Sequence, residues 1–157
     1  MYIGIVLGLI AGLGLFLYGM NLMGNGLQKA AGDRLKKIIE LLTRNRFIAV
    51  LVGVFVTGVI QSSSATTVMV VGFVNAGIMQ LNQAIGVIMG ANVGTTVTAQ
   101  LVSFDLEAIA PVAVGIGVII HMVTKSEKLK SYAEILIGFG ILFVGMTYMK
   151  DAMSPLR

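Results

Sequence analysis

The stretch FIAVLVGVFVTGVIQSSSATTVMVVGFVNAGIM, Phe47 to Met79, joins two apolar runs through a polar knot, Gln61-Ser62-Ser63-Ser64, with Thr66 and Thr67 directly behind it. As one helix its 33 residues would reach about 50 Å at 1.5 Å per residue, against a bilayer core about 30 Å thick. As two separate spans, Phe47–Ile60 and Ala65–Met79 are each too short to cross. The lengths therefore predict a re-entrant helical hairpin over 47–79. Each arm reaches roughly 20 Å and the knot forms the tip near the midplane. Non-helical backbone at that depth is tolerated only where protein buries it or a wet cavity takes it up.

The rest of the chain fits that solvent. Of 157 residues, 57% are hydrophobic and 11% charged, with a mean hydropathy of +0.95. Soluble domains carry about 25% charged residues. Phe47 to Phe104 holds 58 consecutive residues without Asp, Glu, Lys or Arg; Met1–Gln28, Ala108–Thr124 and Ile135–Met149 are further uncharged runs. The composition predicts an all-α polytopic membrane protein. The first run has no basic segment before it and no cleavage pattern, so it is expected to be a retained span. With no cysteine, disulfides and thiolate metal sites are excluded. The net charge of +4 does not imply nucleic acid, because six of the eleven basic residues lie between Lys29 and Arg46, beside a span.

Outward from the hairpin, a first structural repeat is expected over 1–131. A span at 2–23 carries Gly4, Gly8 and Gly12 on one face, a stripe suited to close helix packing. An amphipathic interfacial helix follows at 26–46, with Leu27, Ala30, Leu35, Ile38, Ile39 and Leu42 at helical spacing. Beyond the joint Gln80–Gln83, a span at 84–104 contains GANVGTT, Gly90–Thr96, and is expected to be a broken, locally unwound transmembrane helix. Asp105 and Glu107 mark the next loop, 108–123 forms another span, and 132–157 opens a second unit. With the hairpin, loops 26–46 and 124–131 share one side and carry nine Lys and Arg, against two on the other. That bias assigns the basic loops to the cytoplasm. If 47–79 crossed, the count would be eight against three, so length decides the hairpin.

An internal repeat supports this order. GLGLFLYGMNLM, Gly12–Met23, aligns with GFGILFVGMTYM, Gly138–Met149, at five of twelve positions. Three crossings between the copies would place the second upside down, as in inverted-repeat transporters. The chain then holds one repeat and the first helix of an inverted, incomplete second repeat. The expectation is a shortened chain or a half-transporter that pairs with another copy as a homodimer.

Gln61 through Thr67 supply five hydroxyls and one carboxamide. The second arm starts near Ala65, where the first backbone N–H groups lack intrahelical partners and carry the positive end of the helix dipole. That combination suits an oxyanion. Hydroxyls and free carbonyls also offer neutral oxygen to Na⁺. No Lys or Arg lies nearby to neutralise an anion, which gives a physical reason for co-bound cations. The alternative is that these hydroxyls only join helices. Asn92, Thr95 and Thr96 offer similar groups in GANVGTT, whose alternative role is a glycine-weakened helix packed on its neighbour. Thr98 and Gln100 are weaker candidates, Asn75 suits a cap, and His121 suits structure more than proton relay. Enzyme motifs are absent: the triple serine has no neighbouring base to activate it.

At VIQSSSATT followed by MGANVGTT the sequence resembles the type II sodium/phosphate cotransporter family, in its bacterial, PhoU-domain-associated branch, over essentially the whole chain as the N-terminal repeat. The resemblance implies Na⁺-coupled symport of inorganic phosphate by alternating access in the bacterial inner membrane, with no further cofactor. It implies phosphate binding by Gln61, Ser62, Ser63, Ser64 and Thr66. Sodium binding would fall to Ser63, Ser64, Thr67, Asn92, Thr95 and Thr96. A second QSSS and a PhoU-like domain belong to the family pattern and are not in this sequence. Transport of another oxyanion, and a non-transporting membrane scaffold or sensor subunit, remain open as alternatives.

Overall fold

The computed structural model describes residues 2–43, 45–102 and 106–154, without the side chains of Asp33, Leu42, Thr98, Leu101 and Val102. Asp105 and the Thr98 side chain therefore lie outside the described residues. Among the described residues the order is α1 (Tyr2–Leu42), α2 (Arg46–Ile60), α3 (Ser63–Asn75), α4 (Leu81–Val102), α5 (Ala110–Val123) and α6 (Glu127–Met153). The protein is thus all-α. α1, over Tyr2–Gly32, and α6 are long and apolar enough to cross a membrane, whereas α2, α3 and α5 are shorter apolar helices. α5, at 14 residues or about 21 Å, is shorter than the span expected at 108–123.

The chain divides into two compact units, residues 1–30 with 105–157, and residues 31–104. In the first unit, glycines set the helix pairing. A Cβ on Gly12 would lie 2.7 Å from the Gly145 carbonyl oxygen, one on Gly19 2.6 Å from that of Gly138, and one on Gly26 2.7 Å from that of Ser131. Numbers rise on α1 as they fall on α6, so these helices run antiparallel with backbones in direct contact. Of the repeat's glycines, Gly12 and Gly19 thus meet Gly145 and Gly138 crosswise, whereas Gly14 has nothing within 4 Å and Gly140 faces α5. Gly8 joins this face against Ala152, whereas a Cβ on Gly4 would meet nothing within 4 Å, so Gly4 drops out of the expected stripe. Lys29 and Glu134 form an ion pair across the same helices at 2.9 Å. α5 packs antiparallel on α6 through Gly117 beside Ala133 and Gly140 beside Ala110.

α1 also differs from the two separate helices expected at 2–23 and 26–46: it is continuous through Gly26. The apolar face predicted for its latter part is real, but its destination is a protein core. Leu35 and Ile39 are fully buried in a cluster with Val52, Val56, Val70 and Val87 in the second unit, while Lys36, Lys37 and Glu40 are exposed.

The second unit is built on α2 and α4. A Cβ on Gly86 would lie 2.9 Å from the Arg46 carbonyl oxygen, one on Gly90 2.9 Å from the Val54 nitrogen, and one on Gly94 2.7 Å from the Val54 carbonyl oxygen. Both numberings advance together, so α2 and α4 are parallel and start at the same end. Gly53 answers from the α2 side, where a Cβ would sit 3.0 Å from the Ala91 nitrogen. α3 packs against both helices.

The unwinding expected at Gly90–Thr96 does not occur: α4 is helical throughout Leu81–Val102. Two physical reasons account for it. Gly90 and Gly94 serve backbone-to-backbone approach, which requires a regular helix face. The Thr95 and Thr96 hydroxyls are satisfied by carbonyls of their own helix, Ala91 at 3.1 Å and Val93 at 2.6 Å, without any break.

Candidate functional site: the helix break at Gln61–Ser62

The apolar region breaks where its polar residues begin. α2 ends on Gln61, which adopts the left-handed conformation at φ 59° and donates its N–H to the Thr57 carbonyl at 2.7 Å. It is the one non-glycine residue with positive φ among the described residues. Such conformations cost energy for a side-chain-bearing residue and concentrate at functional positions. The Gln61 side chain folds back so that Nε2 donates to the Gly58 carbonyl.

Ser62 is extended and is the N-cap of α3, its Oγ accepting from the Ala65 N–H at 3.2 Å. Its own carbonyl accepts from the Thr66 N–H at 3.1 Å. Ser63 and Ser64 form the first turn of α3, where backbone N–H groups have no intrahelical acceptor. Ser63 is half-buried and Ser64 exposed, and neither side chain has a hydrogen-bond partner among the described residues. Two hydroxyls and the positive end of a helix are thus presented at one place.

Thr66 is wholly buried and donates to the Ser62 carbonyl at 3.0 Å. It also accepts, at 3.0 Å, from Thr57 on α2. So Thr66 is a structural staple, and in the structure its hydroxyl is committed on both sides. Thr67, on the next position, is half-buried. Thr57 is 1% exposed and was not among the sequence candidates. The signal was present, since it is the one hydroxyl between Phe47 and Ile60 and lies one turn before Gln61.

Thr57 also connects α2 to α4 next to the break. A Cβ on Gly94 would lie 2.9 Å from the Thr57 Cβ, so Gly94 sits level with Thr57, one turn before Gln61. Asn92, Thr95 and Thr96 themselves are exposed, and none of them hydrogen-bonds to Gln61–Thr67 among the described residues. GANVGTT thus runs along the last turns of α2, and it approaches the break through Gly94 and Thr57. Asn75 is the exposed last residue of α3, Gln100 is exposed on α4, and His121 is exposed in the last turn of α5.

Comparison with known proteins identifies the family. Residues 15–151 match the family described as Na⁺/Pi-cotransporter. YjbB of Escherichia coli (strain K12), provisionally named an inorganic phosphate export protein, is 28% identical over 96% of this chain and 28% of its own length. YqeW of Bacillus subtilis (strain 168), whose name assigns no function, is 33% identical over 90% of this chain and 46% of its own. The mouse sodium-dependent phosphate transport protein 2A is 34% identical over 60% of this chain and 15% of its own. The chain therefore spans less than half the length of these relatives. No solved structure matches it. The match covers both units and the break between α2 and α3: the chain belongs to the Na⁺/Pi-cotransporter family, membrane transporters and not enzymes.

Proposed function

We propose that this chain supplies one half of the substrate pathway of a sodium-coupled inorganic phosphate symporter, with α2 and α3 as a re-entrant hairpin whose tip holds phosphate. The observation that carries this reading is the helix break at Gln61–Ser62, which presents the Ser63 and Ser64 hydroxyls, without hydrogen-bond partners among the described residues, at the positive end of α3. α2 at 15 residues and α3 at 13 reach about 22 and 20 Å, each short of a bilayer core of about 30 Å. Ends returning to one face of the membrane resolve that shortfall, and the basic stretch before α2 then lies in the cytoplasm.

In this reading Gln61 sets the turn, Ser62 caps α3, and Ser63, Ser64 and the free N–H groups of the first turn donate to phosphate oxygens. No cationic side chain follows Arg46 until Lys125, so phosphate needs compensating charge from Na⁺. Ser63, Ser64, Thr67 and the exposed Asn92, Thr95 and Thr96 offer neutral oxygens for it. Thr66 contributes by holding α3 to α2. A tip of this kind is half a site, and a second hairpin completes it, from a second repeat or a second copy of the chain. Alternating access then moves the paired tips between the two faces.

Uptake of radiolabelled phosphate into proteoliposomes of the 157-residue chain tests the proposal. An inward Na⁺ gradient should accelerate uptake, and Ser63→Ala with Ser64→Ala should abolish it. Equal uptake with and without the gradient would refute the coupling. A second reading, phosphate export, follows from the name of YjbB. It predicts faster phosphate loss from loaded vesicles than uptake under matched gradients.

A further inference from the structure

A second polar site lies in the same unit, at the opposite end of α2 from the break. Two adjoining cavities, of about 540 and 380 Å³, share Arg46, Phe47 and Asn82. The larger adds Asn45, and the smaller continues between α2 and α4 along Val50, Ile85 and Met89. Because the two helices are parallel, their starts meet here, giving a cleft with a polar mouth and an apolar wall.

The chemistry of the mouth is one-sided. Asn45 Oδ1 already accepts from the Phe47 N–H at 2.9 Å, and Asn82 Oδ1 from the Gln83 N–H at 2.9 Å. Each amide oxygen is thus engaged while its NH₂ group is left to donate, beside the Arg46 guanidinium, and no carboxylate lines either cavity among the described residues. Arg46 is also the first residue of α2, where a positive side chain opposes the helix dipole. An anion at this point relieves that opposition. The wall is equally specific. Phe47, Leu51 and Phe55 on α2 and Ile85, Met89 and Val93 on α4 form two rows at four-residue spacing, all more than half exposed.

We infer that this cleft seats an anionic phospholipid, its phosphate held by Arg46, Asn45 and Asn82 and an acyl chain laid between α2 and α4. A free phosphate ion would use the mouth and leave the apolar wall without a role. A zwitterionic lipid would bring a quaternary ammonium beside the Arg46 guanidinium, with no carboxylate among the described lining residues to offset the two positive charges. Basic pockets between membrane helices on the cytoplasmic side are suited to such headgroups, and Arg46 closes the basic stretch assigned to that side.

Native mass spectrometry of the purified 157-residue chain tests the inference, with phosphatidylglycerol, phosphatidylcholine and inorganic phosphate as separate additions. The expected result is retention of phosphatidylglycerol over phosphatidylcholine by about five-fold, the effect of one arginine at an anionic headgroup. Arg46→Gln should remove that preference. Ile85→Glu, an exposed position that places a carboxylate in the wall, should lower phosphatidylglycerol retention while the helical circular dichroism stays unchanged. Equal retention of the two lipids, a preference that survives Arg46→Gln, or displacement of the lipid by millimolar inorganic phosphate would each overturn it. The phosphate arm also separates this site from the break, which would lose phosphate with Ser63→Ala and Ser64→Ala and not with Arg46→Gln.

Discussion

Replacing Thr57 by valine removes one hydroxyl and changes almost no volume, which makes it a clean probe of how the break is held. Thr57 Oγ1 donates to Thr66 Oγ1 at 3.0 Å, and the Thr66 hydroxyl in turn donates to the Ser62 carbonyl at 3.0 Å. Both threonines are buried, at 1% and 0% exposure, so water cannot replace either bond. A net hydrogen bond inside a protein is worth about 1 kcal/mol, and interhelical ones in membrane proteins average about 0.6 and reach about 1.7 kcal/mol. Thr57→Val leaves Thr66 with its donor bond intact and should cost about 1 kcal/mol. Thr66→Val is more damaging, because it removes the bond to Ser62 and also strands the Thr57 hydroxyl. A cost of about 1–3 kcal/mol is expected. The double variant should cost less than the two single ones together, with a coupling of about 0.6–1.7 kcal/mol. Reversible unfolding in bicelles by titrated denaturing detergent measures all four proteins. Additivity within about 0.3 kcal/mol would refute the staple. Thr57→Ser, which keeps the hydroxyl, should retain the coupling. If the staple orients the α3 start, Thr57→Val should also raise the KM for phosphate while Thr57→Ser restores it.

Two further outcomes separate packing from chemistry. Gly90→Ala drives a methyl into the backbone of α2 near Val54, at 2.9 Å from its nitrogen, and should destabilise by about 1–3 kcal/mol or more in the same unfolding assay. Gly72→Ala, on α3 with nothing within 4 Å, should be neutral or stabilising by up to about 1 kcal/mol. Ser62→Ala removes the N-cap of α3 and should cost about 1 kcal/mol of stability as well as uptake. Ser63→Ala and Ser64→Ala break no bond among the described residues, and should lower phosphate uptake with stability unchanged within about 0.5 kcal/mol.

Length, composition and the placement of polar residues are local properties, and they carried the outline. A knot of Gln and Ser between two apolar runs too short to cross has to interrupt a helix, and the interruption falls at Gln61–Ser62. The family was legible in the same residues. Glycine was the ambiguous letter, because it both weakens a helix and lets two helices touch, and the sequence does not say which. At Gly90 and Gly94 the neighbour decided: α2 lies against them, and α4 stays helical. The same holds for Gly4, Gly8 and Gly12, of which only the last two face α6, and for Gly26, where a separate helix was expected to begin and a contact with α6 inside a continuous helix is found. Thr57 was written in the sequence as a single hydroxyl in an apolar arm, but its worth depends on Thr66 standing 3.0 Å away across the break. What the sequence by itself determined is where the chain must turn polar and which chemistry it offers there. Which hydroxyls are free to meet a ligand and which are committed to holding helices together depends on partners distant in sequence, and only the packed structure decides it.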